Sequence, residues 1–176
     1  MNRAALRHTL EVTTNFAVLA LCITIGVVLL RGHQTPQQVQ GSTDSHLAKG
    51  EVFPPIESVR YDATERTLVL ALNTHCRFCQ ESLPFYRRLL ATQGQPDRST
   101  QIAVIFPNTD SEVREFIDQA QLSVPAVAGQ DFEKFQISGT PTLVLVGRDG
   151  KVRGLWAGEL LAAGEKEVIS AMAGGV

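Results

Sequence analysis

The sequence predicts an α/β fold, a mixed central sheet with helices on both faces, preceded by a transmembrane helix. Three observations predict it. An uncharged apolar run fills residues 16–30. From about Glu51 onward, short strand-like segments alternate with helix-like ones. The chain then closes on two strand-like segments around a Gly/Asp turn and a final helix, giving the order β-α-β-α-β-β-α.

The amino-terminal run, Phe16 to Leu30, reads FAVLALCITIGVVLL, without charge or proline. A helix needs roughly 20 apolar residues to cross a bilayer, with about 17 as a lower limit. Val12 to Leu30 reaches that range if Thr13, Thr14 and Asn15 lie at the interface. A buried core helix is disfavoured, because this one is apolar all round and a polar stretch follows. A cleaved signal peptide is the closer rival, with an apolar region of about 7–15 residues and a small-residue cleavage site. The run ends Leu29-Leu30-Arg31-Gly32-His33, which offers no such site. The favoured reading is an anchor over 1–31 with its signal-anchor helix at about 12–30. Either reading carries the remaining chain across a membrane. Arg3 and Arg7 before the run favour a cytoplasmic amino terminus. Residues 32–50, rich in Gln, Gly, Ser, Thr and Pro, read as a flexible linker that cannot bury enough surface to offset its own ordering. The folded domain is expected over 51–176.

Within it, Thr67 to Leu72 is a short apolar run suited to a buried strand. A Cys-Arg-Phe-Cys motif follows, then a helical stretch through Leu83, Phe85, Tyr86, Leu89 and Leu90 to Gly94. Ile102 to Phe106 reads as a second strand closed by Pro107. Asp110 or Ser111 is expected to cap the next helix, whose apolar positions Val113, Phe116, Ile117 and Ala120 have helical spacing. Thr142 to Val146 and Lys151 to Trp156 flank Gly147-Arg148-Asp149-Gly150, a hairpin signal. A closing helix is expected from about Leu160 to Met172.

The three cysteines are not equivalent. Cys22 lies in the apolar run, where a thiol behaves as a small hydrophobe. Cys76 and Cys79 form a C-x-x-C motif between a strand and a helix. A helix start offers unpaired N–H groups and partial positive charge, which favour a thiolate, and the thiolate is the form that attacks disulfides. Cys76 is the expected exposed nucleophile; Cys79, one turn inward, is the expected buried partner that closes the ring. Arg77 adds a positive charge expected to lower the thiol pKa further. Phe78 reads as a packing or substrate-facing aromatic. The competing readings are a zinc site, a copper(I) site or a passive disulfide. Structural zinc wants four ligands, and none of His8, His33, His46 and His75 follows the cysteines. Copper(I) held by two thiolates stays open.

Far down the chain, Gly139-Thr140-Pro141-Thr142 stands directly before an apolar strand. A proline there is either an edge feature or a cis X-Pro bond. With these residues in place, the chain resembles the thioredoxin superfamily, specifically its membrane-anchored bacterial TlpA/ResA-like branch. The resemblance rests on the strand before C76-R77-F78-C79, Pro84 in the following helix, G139-T140-P141-T142, L143 to V152 and Gly158. It implies a thioredoxin-like fold in which Thr140 and Pro141 pack against the cysteines. There the Thr140 backbone binds an extended substrate segment and a cis Pro141 keeps metal from the thiols. The long stretch between Cys79 and Pro141 resembles the central insertion of that branch.

Three positions depart from the family pattern. His75 stands where tryptophan usually precedes the first cysteine, Leu70 where thioredoxins proper carry a buried acid, and Ser82 where the branch often has glutamate, with Glu81 one position away. His75 and Glu81 are candidates for a hydrogen-bonding or proton role, a solvated loop residue being the other reading of His75.

The expected function is therefore an extracytoplasmic, periplasmic thiol–disulfide oxidoreductase with Cys76–Cys79 as its redox-active disulfide. It would reduce disulfides of exported proteins, and a membrane or extracytoplasmic redox partner would reset it. No resident cofactor or metal is implied. The alternative is a copper(I)-binding or docking module without turnover. A peroxidase of the peroxiredoxin type would need a proline upstream of Cys76 that Val69 to His75 lacks. A formal net charge of −2 and no basic cluster argue against nucleic acid as a partner.

Overall fold

The computed structural model describes residues 47–91 and 100–174, all within the unit that spans residues 41–176. The expected anchor, most of the linker, Cys22 and Gly94 lie outside the described residues. Among those residues, no helix is long and apolar enough to cross a membrane.

Among the described residues, five strands form one sheet. In chain order they are β1 (Arg66–Ala71), β2 (Thr100–Ile105), β3 (Ala126–Val127), β4 (Thr142–Gly147) and β5 (Val152–Ala157). Their spatial order is β3-β2-β1-β4-β5. β1 runs parallel to β2 and antiparallel to β4, so Leu70 sits between Val104 and Leu143. The sheet is mixed, as expected, with a short edge strand, β3, that the sequence pattern did not signal. Two residues carry too little periodicity to read.

β1 is central and nearly inaccessible, with Leu68, Val69, Leu70 and Ala71 at 0–1% exposure. Burial on both faces explains why its sequence is a continuous apolar run instead of an alternation. On one face, Leu68, Leu70 and Leu72 join Val104, Leu143, Leu145 and Trp156. The α-helices of the described residues, α1 (Arg77–Glu81), α2 (Leu83–Ala91), α3 (Asp110–Ala120) and α4 (Ala162–Met172), all place their buried side chains in this cluster, so the helices expected on both faces lie on one. The other face, Val69, Ala71, Ile105, Val144 and Val146, is covered more lightly. Phe53, Ile56, Phe135 and Ile137 pack there from irregular segments, with Tyr61 from a 3₁₀ turn at Tyr61–Ala63. Leu47, within the stretch expected as linker, is buried in that cluster, and Gly50 donates its N–H to the Val152 carbonyl at 2.8 Å. The ordered domain therefore starts before Glu51.

Local chemistry corrects two sequence expectations. The helix after the motif is broken at Ser82, because Pro84 has no N–H to give to the Gln80 carbonyl. The Phe85 N–H turns to the Ser82 carbonyl, three residues back, at 3.0 Å, and the Tyr86 N–H resumes the helical pattern on the same carbonyl at 3.1 Å. α3 is capped by Thr109, not by Asp110 or Ser111. Thr109 and Glu112 form a reciprocal capping box, with the Thr109 N–H donating to Glu112 Oε2 at 2.9 Å.

The β4–β5 hairpin closes between Gly147 and Lys151, and Gly150 takes a positive φ of 74°. A register shift between Leu145 and Val146 turns β5, so Val152 and Leu155 face one cluster while Gly154 and Trp156 face the other. The Trp156 ring lies directly over Gly154. Gly154→Ala should therefore cost about 1–3 kcal/mol, since its new Cβ meets the ring carbons Cη2 and Cζ3. Gly164→Ala, inside α4 with Leu160 Cδ2 at 3.4 Å, should gain roughly 0.5–1 kcal/mol by helix propensity. Urea unfolding of both variants checks the pair; a neutral Gly154→Ala would contradict this packing.

Candidate active site

β1 delivers the chain into a tight loop, Asn73 to Cys76. The Asn73 side chain accepts the His75 N–H at 2.9 Å, and its carbonyl accepts the Cys76 N–H at 3.1 Å. Such Asx turns redirect a backbone within two residues. Cys76 emerges as the N-cap of α1, with extended φ −84° and ψ 117°. Its sulfur takes the part usually played by a Ser or Asp oxygen: Sγ accepts the Cys79 N–H at 3.3 Å.

A second chain segment meets the first across the sheet. The Thr140–Pro141 peptide is cis. The Thr140 carbonyl accepts a hydrogen bond from the Cys76 thiol at 3.2 Å, although the two residues are 64 apart in sequence. Thr142 Oγ1 donates to the Gly139 carbonyl at 2.7 Å, and Gly158 donates its N–H to the Pro141 carbonyl at 2.7 Å. The antiparallel pairing of β4 with β1 places the start of one strand beside the end of the other, which brings Thr140 to the cysteines.

The two sulfurs have different surroundings. Both are free thiols; Cys76 is half-buried and Cys79 fully buried. Burial pushes the Cys76 thiol up, but hydrogen bonds from Cys79, from the Thr140 side chain and from the Cys79 and Phe78 N–H groups outweigh it. The net result is a pKa below the ordinary value. For Cys79, burial dominates and the hydrogen bond with Cys76 adds to it, so its thiol is pushed up to about 12. One sulfur is acidic and reachable, the other protonated and enclosed.

The structure brings Cys76, Cys79, Thr140 and Pro141 together. The other expected residues divide. Phe78 is 51% exposed beside the sulfur, a large apolar side chain facing solvent. Arg77 turns away: its Nε donates to Glu81 Oε1 at 2.7 Å, one turn along the same helix. The guanidinium is not among the groups that shift Cys76, so the expected Arg77 contribution gives way to hydrogen bonds from the Cys79 and Thr140 side chains and from backbone N–H groups. Glu81 is spent in that pair. His75 points toward the β2–α3 connection, with Nδ1 3.1 Å from Thr74 Oγ1 and Nε2 3.8 Å from Glu112 Oε1. Pro84 acts at the helix break after Ser82.

Sequence reasoning missed Asn73, Asn108 and Tyr86. Asn73 carried a legible signal, an Asx-turn residue directly after a strand. Tyr86 was read only as an apolar helix position. It is buried behind Cys79, where burial raises its phenol, a hydrogen bond with Ser82 opposes this, and the charges of both cysteines reach it. Asn108 has no sequence signal beyond its place after β2.

No protein-family model matches the chain, and no characterised protein matches it in sequence. Solved structures do match. The thioredoxin domain of a thiol–disulfide oxidoreductase from Bacteroides vulgatus aligns with a TM-score of 0.59 at 20% identity, covering 72% of this chain and 99% of that one. A protein described as the thiol:disulfide interchange protein DsbE from Chlorobium tepidum gives a TM-score of 0.59 at 19% identity, over 72% and 99%. StoA from Bacillus subtilis gives 0.50 at 19% identity, over 66% and 93%. At such identities the likeness is one of fold: the chain has the thioredoxin-like fold of these proteins.

Proposed function

We propose that the chain is a membrane-anchored, extracytoplasmic thiol–disulfide oxidoreductase that uses Cys76 and Cys79 to reduce disulfides in exported proteins. The observation that carries this reading is the division of labour between the sulfurs. An acidic Cys76 caps a helix beside the Thr140 carbonyl, and an enclosed Cys79 holds its proton one turn behind. The names of the structural neighbours agree with it.

The Cys76 thiolate attacks one sulfur of a substrate disulfide, forming a mixed disulfide and expelling the other sulfur as a thiolate. Cys79 then loses its proton and attacks Cys76 Sγ. The second substrate sulfur leaves, and the Cys76–Cys79 disulfide forms. The substrate gains two electrons and two protons overall, and a dithiol donor must return them to the enzyme. Leu70 is apolar and no acid is buried among the described residues, so the Cys79 proton passes to the leaving substrate thiolate or to water. Exposed Phe78 offers apolar surface to a polypeptide segment beside the sulfur.

Insulin-disulfide reduction tests the chemistry. Cys76→Ser should fall to the uncatalysed background. Cys79→Ser should attack once and stall as a mixed disulfide that a reductant releases. Full activity in Cys76→Ser would end the proposal.

The location rests on residues 16–30 and their flanking charges. The full chain should stay with membranes through alkaline carbonate washing, whereas a chain starting at Gly32 should not. An intact full-length chain in the soluble fraction would refute the anchor, and loss of 1–31 from the mature protein would replace it with a cleaved signal.

A further inference from the structure

We propose that Asn108 is a positioning residue for this site: its carboxamide clamps the loop that presents Cys76 and thereby sets how readily that sulfur reacts. The inference rests on the oxidoreductase reading for its biological meaning, but its geometry stands independently.

Thr74 lies at the middle of the loop between β1 and α1. Asn108 Oδ1 accepts the Thr74 N–H at 3.1 Å from 34 residues away. The Thr74 carbonyl accepts from Gln80 Nε2 at 3.3 Å, so the residue is held on both sides. The other end of the same carboxamide, Nδ2, lies 3.4 Å from His75 Nδ1. Thr74 Oγ1 also approaches that nitrogen. His75 Nδ1 thus lies against both the carboxamide and the hydroxyl, while Nε2 faces Glu112.

A clamp works only if its own base is fixed. The Asn108 carbonyl accepts the Gly129 N–H at 2.9 Å, which ties it to the segment after β3. Thr109, the next residue, caps α3 through the reciprocal box with Glu112. The carboxamide therefore projects from a braced turn into a loop that has no strand or helix bonds of its own at Thr74.

The clamp bears on chemistry because, Thr140 apart, the sulfurs take their hydrogen bonds from this loop and the helix it launches. The Cys76 cap geometry follows from where the loop ends, and the Asn73 N–H, one peptide before Thr74, faces Cys79. Releasing the Thr74 N–H lets the loop turn and weakens the Cys79 N–H bond to the Cys76 sulfur. An asparagine that merely completed its own turn would bond to its own backbone and leave the thiol indifferent to its loss.

The test follows iodoacetamide labelling of Cys76 against pH in the reduced full chain in detergent, read on the Cys76 peptide by mass spectrometry. Asn108→Ala should slow labelling at neutral pH about three- to tenfold, the size of one net hydrogen bond, and move the midpoint of the profile upward. Asn108→Asp keeps the oxygen that accepts the Thr74 N–H and should label faster than Asn108→Ala. Superimposable profiles for Asn108→Ala and the parent chain overturn the proposal, as does an equal loss in both variants. Should Asn108→Ala fail to fold, hydrogen exchange in the parent chain decides: a protected Thr74 amide supports the clamp and an unprotected one removes it. Labelling needs no disulfide substrate, so a parent chain inert toward insulin would sink the oxidoreductase reading while leaving this result standing.

Discussion

The molecule is organised around one hydrogen bond, from the Cys79 N–H to the Cys76 sulfur at the first turn of a helix. A helix start leaves its first N–H groups without partners, and a side chain that accepts from them is stabilised most when it is charged. Placing a cysteine there converts a general feature of helices into a preference for thiolate. Burial works against that preference, and only the summed hydrogen bonds reverse it. The same helix carries Cys79 inward, where burial has nothing to oppose it on that scale. One turn of backbone thus separates two chemically different thiols.

The sheet supplies what the helix cannot. β1 ends beside the start of β4 because the two run antiparallel in register, Ala71 opposite Thr142. That pairing puts the Thr140 carbonyl against Cys76 and leaves the sulfur half-covered. The two apolar clusters on either face of β1 hold the pairing in place, and the edge turn over Gly158 ties β5 to the same loop. The β2–α3 connection contributes from a third side through Asn108. Stability and site share a scaffold here: the sheet that both apolar clusters pack against also delivers Cys76 and Thr140.

Much of this was legible in the sequence because it depends on local pattern. The apolar runs of β1, β2 and β4, the C-x-x-C motif after a strand, and the Thr-Pro before β4 each have a physical reason to be read as they were. The mixed sheet follows from their order. What escaped were features that depend on who faces whom. Arg77 looked like an electrostatic aid by proximity in sequence, yet Glu81 captures it one turn away. The break at Ser82 was implicit in Pro84, but the continuous apolar pattern of the helix hid it. Asn108 could not be found at all, since its role exists only once β2 lies beside β1. Leu47 reads as a lone apolar residue in a polar stretch and becomes core only through the second face of the sheet.

Ultraviolet thiolate absorbance of the reduced chain, followed against pH with Cys22 replaced by serine, tests the asymmetry of the two sulfurs most directly. One thiol should ionise below the ordinary cysteine value, giving a thiolate that is present at higher pH and lost as pH falls through that midpoint. The second should keep its proton until about 12. Two sulfurs ionising together near the ordinary value would contradict the account.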